Sequence, residues 1–163
     1  GPYFSGYVIS FFVLTMFWTS HSFFFTDIVK VVNRQLVGLN MLYLLFVGLI
    51  PFSATLLSRF GETQAAVLIY GANVLAIGVS AAFRYEYALA TDEIDTSHND
   101  SRLLAQAKVR LYLTPGFTIF GMLVSFVSLP LALVAYAFPL AFNIIPGLLN
   151  ATERLLGFRL GQG

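Results

Sequence analysis

Five apolar stretches, each about as long as the ~20 residues of helix that cross a ~30 Å hydrocarbon core, dominate the chain. They run over residues 3–25, 36–57, 65–83, 109–128 and 131–149. Backbone in lipid must satisfy its own hydrogen bonds, so such stretches read as helices. The residue-by-residue alternation of a membrane barrel strand is absent. The fold class expected is all-α, a polytopic membrane bundle of about five transmembrane helices forming a single domain over 1–163. Pro139 lies inside the last stretch and Pro146-Gly147 near its end, which predicts a kink and a ragged terminus there.

Composition agrees. The chain is 58% hydrophobic and 10% charged, against about 25% charged in soluble domains. Its mean hydropathy is +0.80. A soluble domain of this size leaves too much of its surface in water to hide that apolar content. There is no cysteine, which excludes disulfides, iron–sulfur clusters and cysteine-based zinc sites. No phosphate-binding Gly-Lys-Ser/Thr loop, His-Glu-x-x-His or Gly-x-Ser-x-Gly motif occurs. The reading is of a protein that is not an enzyme and needs no cofactor. Nine scattered cations beside eight anions give no nucleic-acid footprint.

The connections set an orientation. Residues 26–35 carry Asp27, Lys30 and Arg34; residues 58–64 are short, with Gly61 as the helix stop. Residues 84–108 form a long polar loop containing Arg84 and Glu86, then the start of a juxtamembrane helix near Arg102, capped by Asn99, Asp100 or Ser101. Ser128-Leu129-Pro130 is a tight hairpin. Five spans put Arg59 alone on one side and the other eight of nine basic residues on the opposite side. The positive-inside rule makes that second side cytoplasmic. The N-terminus as written is then outside and the C-terminus cytoplasmic. A chain that begins outside without a basic signal head implies an additional helix before Tyr3. The expectation is five helices of a six-helix unit in a cell membrane.

Few polar groups lie at membrane depth. Trp18 and His21 are three residues apart and share a helix face. Asn40 enters the second stretch about one turn from the same side, so Trp18, His21 and Asn40 are expected in one hydrogen-bonded cluster. Two readings stand. Such side chains tie helices together at roughly 0.6–2 kcal/mol each, or they hold a pore helix in register. Neither makes His21 a catalyst. Asn73, near mid-span, needs a polar partner and reads as helix glue. Gly71 and Gly78 permit close helix approach. Tyr3 and Tyr7 suit an interfacial aromatic belt. The remaining polar residues of the stretches are expected singly, without a stripe to line a water-filled path. Arg102, Lys108 and Arg110 face anionic lipid headgroups. Asp92, Glu93, Asp95, His98 and Asp100 lack the spacing of a calcium loop, so no metal site is assigned. Residues 148–160 suit a short interfacial amphipathic helix.

Certain motifs recur in a recognisable order: Tyr7-x-x-Ser10-Phe11, Trp18-x-x-His21, Leu39-Asn40, Pro51-Phe52-Ser53-Ala54, Tyr70-Gly71-x-Asn73, Ser125-Phe126-Val127-Ser128-Leu129-Pro130 and Pro146-Gly147. In this order and spacing the chain resembles helices two to six of the transmembrane protein 175 family, bacterial relatives of the endolysosomal potassium channel, over nearly its whole length. The resemblance implies a homotetrameric potassium channel of the bacterial inner membrane in which Trp18 and His21 help anchor a pore-lining first helix. That helix carries an Arg-x-x-x-Phe-Ser-Asp motif absent from these residues, so the pore-lining residues are unknown. Two functions follow: the scaffold helices of a potassium-channel-like subunit, or a non-conducting accessory subunit of a larger membrane complex.

Overall fold

Among the described residues, every regular element in the computed structural model is helical. It describes residues 2–29, 31–91 and 101–144. In chain order these are α1 (Pro2–Phe23), running into a π-helical turn (Phe24–Ile28), α2 (Arg34–Gly48), α3 (Ile50–Phe60), α4 (Gln64–Ala90), α5 (Ser101–Val124) and α6 (Leu129–Ile144). The acidic segment 92–100 and the tail 145–163, with their expected cap, loop and amphipathic helix, lie outside the described residues, as do the side chains of Tyr3, Tyr7, Ser10 and Asn143.

Local chemistry sets the boundaries. Asn33 caps α2 by accepting from the Leu36 N–H at 2.9 Å. α2 and α3 form one 27-residue hydrophobic run, Arg34–Phe60, interrupted at Leu49. Pro51 explains the interruption: it lacks an N–H and its ring crowds the carbonyl four residues back. The stretch expected as one helix over 36–57 is thus two stacked helices. Gly61 ends α3 in a right-handed conformation. A Cβ there would lie 2.7 Å from the Leu57 carbonyl oxygen, which is why glycine occupies it. Thr63 then caps α4.

α4 does not stop at residue 83. It continues to Ala90, so Arg84 and Glu86, read as loop residues, belong to the helix. The reason is periodicity: Ile77, Ala81, Arg84 and Ala88 form one buried stripe at helical spacing. α5 runs unbroken from Ser101 through Pro115, and α6 continues through Pro139.

α4 is the centre of the bundle, packing against α2, α3, α5 and α6. The main core joins Val13 and Phe17 of α1, Tyr43 of α2, Ile50 of α3, Val67, Tyr70, Val74 and Ile77 of α4, and Ala132 and Tyr136 of α6. A second cluster at one end gathers Phe24, Ile28, Val29, Leu36, Tyr85 and Ala88. Small residues set the closest approaches. A Cβ on Gly71 would overlap the Tyr136 hydroxyl, and one on Gly78 would come within 3.0 Å of Pro115 Cδ.

The outer surface is apolar. Met41, Leu45, Phe52, Phe83, Leu123 and Val134 are among many large exposed hydrophobics. Buried hydroxyls bond their own helix, as Thr118 does to the Thr114 carbonyl at 2.7 Å and Ser80 to the Ile77 carbonyl at 3.0 Å. That satisfies them without water. Among the described residues, two helical runs are long and apolar enough to cross a membrane, Arg34–Phe60 and Gln64–Ala90.

Candidate functional site

Polar side chains from two helices, α1 and α2, converge on Arg84 of α4. Its helix stripe carries it inward, and it is only 2% exposed. One guanidinium nitrogen donates to Asn40 Oδ1 at 2.7 Å and lies 3.1 Å from His21 Nδ1. Arginine has only donors, so Nδ1 accepts, and the imidazole proton sits on Nε2. The Phe24 and Tyr43 rings each lie 4.2 Å from the guanidinium carbon, with Phe25 at 5.6 Å. Such faces stabilise a desolvated cation by about 2 kcal/mol. Tyr43 is fixed in turn: its hydroxyl donates to the Phe17 carbonyl at 2.9 Å, and His21 stacks on its ring at 6.1 Å.

His21 and Asn40 are therefore joined through the guanidinium. Trp18 is placed differently from the sequence expectation. It is 64% exposed and meets His21 only as a ring contact at 5.5 Å, with no hydrogen bond among the described residues. Its face of α1 turns outward while Phe17 turns inward. Asn73 Nδ2 donates to Ser53 Oγ at 3.0 Å, linking α4 to α3, and its Oδ1 is buried without a partner. The His21–Arg84–Asn40 and Asn73–Ser53 contacts both join helices.

Arg84 is the member that sequence reasoning missed. Its charge marked the end of an apolar run. The signal was its place on the Ile77–Ala81–Ala88 stripe, which a charge enters only with polar and aromatic partners waiting.

Further contacts fix the same end of the bundle. Asn33 Nδ2 donates to the Tyr87 hydroxyl at 2.8 Å, and that hydroxyl donates to Gln35 Oε1. The Tyr85 hydroxyl donates to the Leu104 carbonyl at 2.8 Å, tying α4 to α5. At the rim Lys108 pairs with Glu86 at 2.9 Å, and that hydrogen bond raises the lysine's pKa above its ordinary value.

Beside Arg84 a cavity of about 620 Å³ opens between α1, α4 and α5. Phe12, Met16 and Ile77 line one end; Arg84, Gln106 and Arg110 line the other. No group of three or more His, Cys, Asp or Glu suited to a metal occurs among the described residues.

The profile of the family described as endosomal/lysosomal potassium channel TMEM175 matches residues 1–51. This segment contains Trp18, His21, Asn40 and Tyr43. A potassium channel of Streptomyces collinus is 26% identical over 153 residues, covering 89% of this chain and 73% of that protein. The endosomal/lysosomal proton channel TMEM175 of Danio rerio is 23% identical over 136 residues, covering 80% of this chain and 26% of that protein. No solved structure matches. Over part of its length, this chain is a distant homologue of TMEM175 and of bacterial potassium-channel-like proteins, a group of channels and not of enzymes.

Proposed function

We propose that this chain is a multi-pass cell-membrane protein of five spans that supplies the scaffold helices of a potassium-channel subunit, several copies assembling into the conducting unit. The observation that carries this reading is the Arg84 node. It locks α1, α2 and α4 together, and two of its three helices lie within the family match. A scaffold needs a fixed register, and a desolvated guanidinium with several directional partners supplies one.

The intrachain cavity is a poor route for a cation. Arg84 and Arg110 both line it, and like charge in a low-dielectric setting repels strongly. The reading therefore assigns the ion path to a further helix of the family type or to the junction between copies. Potassium flux in proteoliposomes tests it. The 163-residue chain alone is expected to give no potassium-selective flux, and the chain preceded by a family-type first helix is expected to give a cation flux. Selective flux from the chain alone overturns the scaffold assignment. No flux from either form favours the non-conducting accessory subunit.

A further inference from the structure

Burying a charge demands compensation, and the arginines beside the cavity are incompletely compensated. Arg84 Nε and Arg110 Nε are each buried with no hydrogen-bond partner among the described residues. The acids with described side chains are elsewhere. Glu86 is taken by Lys108 and by the Tyr112 hydroxyl at 2.9 Å, and Glu62 lies in the connection between α3 and α4. Two guanidiniums, one from α4 and one from α5, thus line the same cavity without an anion among the described side chains, and guanidinium donors match an oxyanion.

The cavity is also polarised along its length. From Phe12 to Phe23 the α1 wall runs eleven residues, or about 17 Å of helix. The wall is one helical face, Phe12, Thr15, Met16, Thr19, Ser20 and Phe23. Its apolar end lies opposite Ile77 and Gly78; its other end lies opposite Arg84 and Arg110. The volume of about 620 Å³ is within the roughly 300–1,000 Å³ typical of ligand pockets. A free inorganic anion would leave the apolar end empty, and a neutral hydrocarbon would leave the arginines unpaired.

We propose that the cavity between α1, α4 and α5 binds one anionic amphiphile, its phosphate or carboxylate between Arg84 and Arg110 and its hydrocarbon chain running toward Phe12, Met16 and Ile77. The occupant is an acidic membrane lipid. It neutralises the buried charge and fills the space between α1 and the packed α4–α5 pair. The site rests on the membrane reading of the chain and is independent of conduction.

The test uses the full chain purified in detergent, with retained lipid counted by native mass spectrometry. Phosphatidylglycerol, phosphatidylcholine with the same acyl chains, and inorganic phosphate are titrated separately. Phosphatidylglycerol is expected to bind more tightly than phosphatidylcholine by about tenfold, the scale of a hydrogen bond to a charged group. Arg110→Gln, on a partly buried residue, is expected to lower phosphatidylglycerol binding by about the same factor and phosphatidylcholine binding by less, because the choline cation already offsets part of the phosphate's pull on the arginines. Ser20→Trp, which fills the α1 wall, is expected to abolish retention. Equal binding of the two lipids overturns the site, as does Arg110→Gln without effect. Inorganic phosphate binding as tightly as phosphatidylglycerol also overturns it, because the hydrocarbon chain would then contribute nothing. Alkaline extraction of membranes tests the underlying reading separately. A chain stripped from the membrane fails that reading, whereas a chain that stays and binds both lipids alike fails only this one.

Discussion

Arg84 and Asn40 stand 44 positions apart in sequence and meet at 2.7 Å, guanidinium nitrogen to amide oxygen. The bond fixes α4 against α2 at the end of the bundle where the π-helical turn brings Phe24 over the same guanidinium. Neither partner has an obvious substitute. A lysine ammonium lacks the flat face that Phe24 and Tyr43 enclose, and a leucine at 40 leaves a buried charge short of an acceptor.

Asn40→Leu is therefore expected to destabilise the bundle by about 1.5–3 kcal/mol, the scale for a hydrogen bond to a charged group. Asn40→Ala and His21→Ala, which leave room for water beside the guanidinium, are expected to cost about 1 kcal/mol each. Reversible unfolding in mixed micelles, followed by tryptophan fluorescence, measures all three. A leucine variant as stable as the parent would show that Arg84 does not depend on Asn40.

Arg84→Lys is expected not to restore the parent's stability, falling short by about 2 kcal/mol for the lost ring contacts and fork. The same unfolding assay reads this. Full stability of the lysine variant would mean that charge alone, without the sandwich between rings, holds the node.

Two glycines give a contrasting pair. Gly71→Ala sets a methyl group into the Tyr136 hydroxyl and Met122, and overpacking of this kind costs about 1–3 kcal/mol. Gly38 has nothing within 4 Å of a Cβ, so Gly38→Ala is expected to stabilise α2 by up to about 1 kcal/mol through helix propensity. Thermal aggregation midpoints in one detergent separate the two directions. Equal effects of the same sign would contradict the packing.

Cysteine labelling tests the five-span orientation. Gly61 is a poor site because its Cβ would meet the Leu57 carbonyl oxygen at 2.7 Å; the neighbouring exposed Glu62 is better. Glu62→Cys is expected to react with an impermeant maleimide from outside the cell, and Ser97→Cys only after the membrane is opened. Labelling of both from one face removes the topology.

Residues whose role is fixed by local chemistry were legible in the sequence. Long apolar stretches require helices wherever they lie in lipid, because backbone groups there have no other partner. Gly61 as a stop, the start of α5 near Arg102 and the close-approach role of Gly71 follow from steric rules that act within a turn or between neighbouring backbones. His21, Asn40 and Asn73 stood out because a polar group in an apolar run must find a partner.

The identity of those partners depended on the three-dimensional packing. Asn73 found Ser53, and His21 and Asn40 found Arg84, across separations of 20, 63 and 44 residues. Nothing along the chain encodes such distances. A charged residue at the edge of an apolar run ends a span or enters the core according to which rings and amides are folded beside it. Sequence shows the cation, and only the tertiary structure supplies the low-dielectric setting and the donors, acceptors and ring faces that decide its place. The same holds for the cavity. Its lining comes from five elements, α1 and the π-helical turn after it, α2, α4 and α5, and its polarity, two guanidiniums at one end and hydrocarbon at the other, exists only once α1, α4 and α5 stand around it.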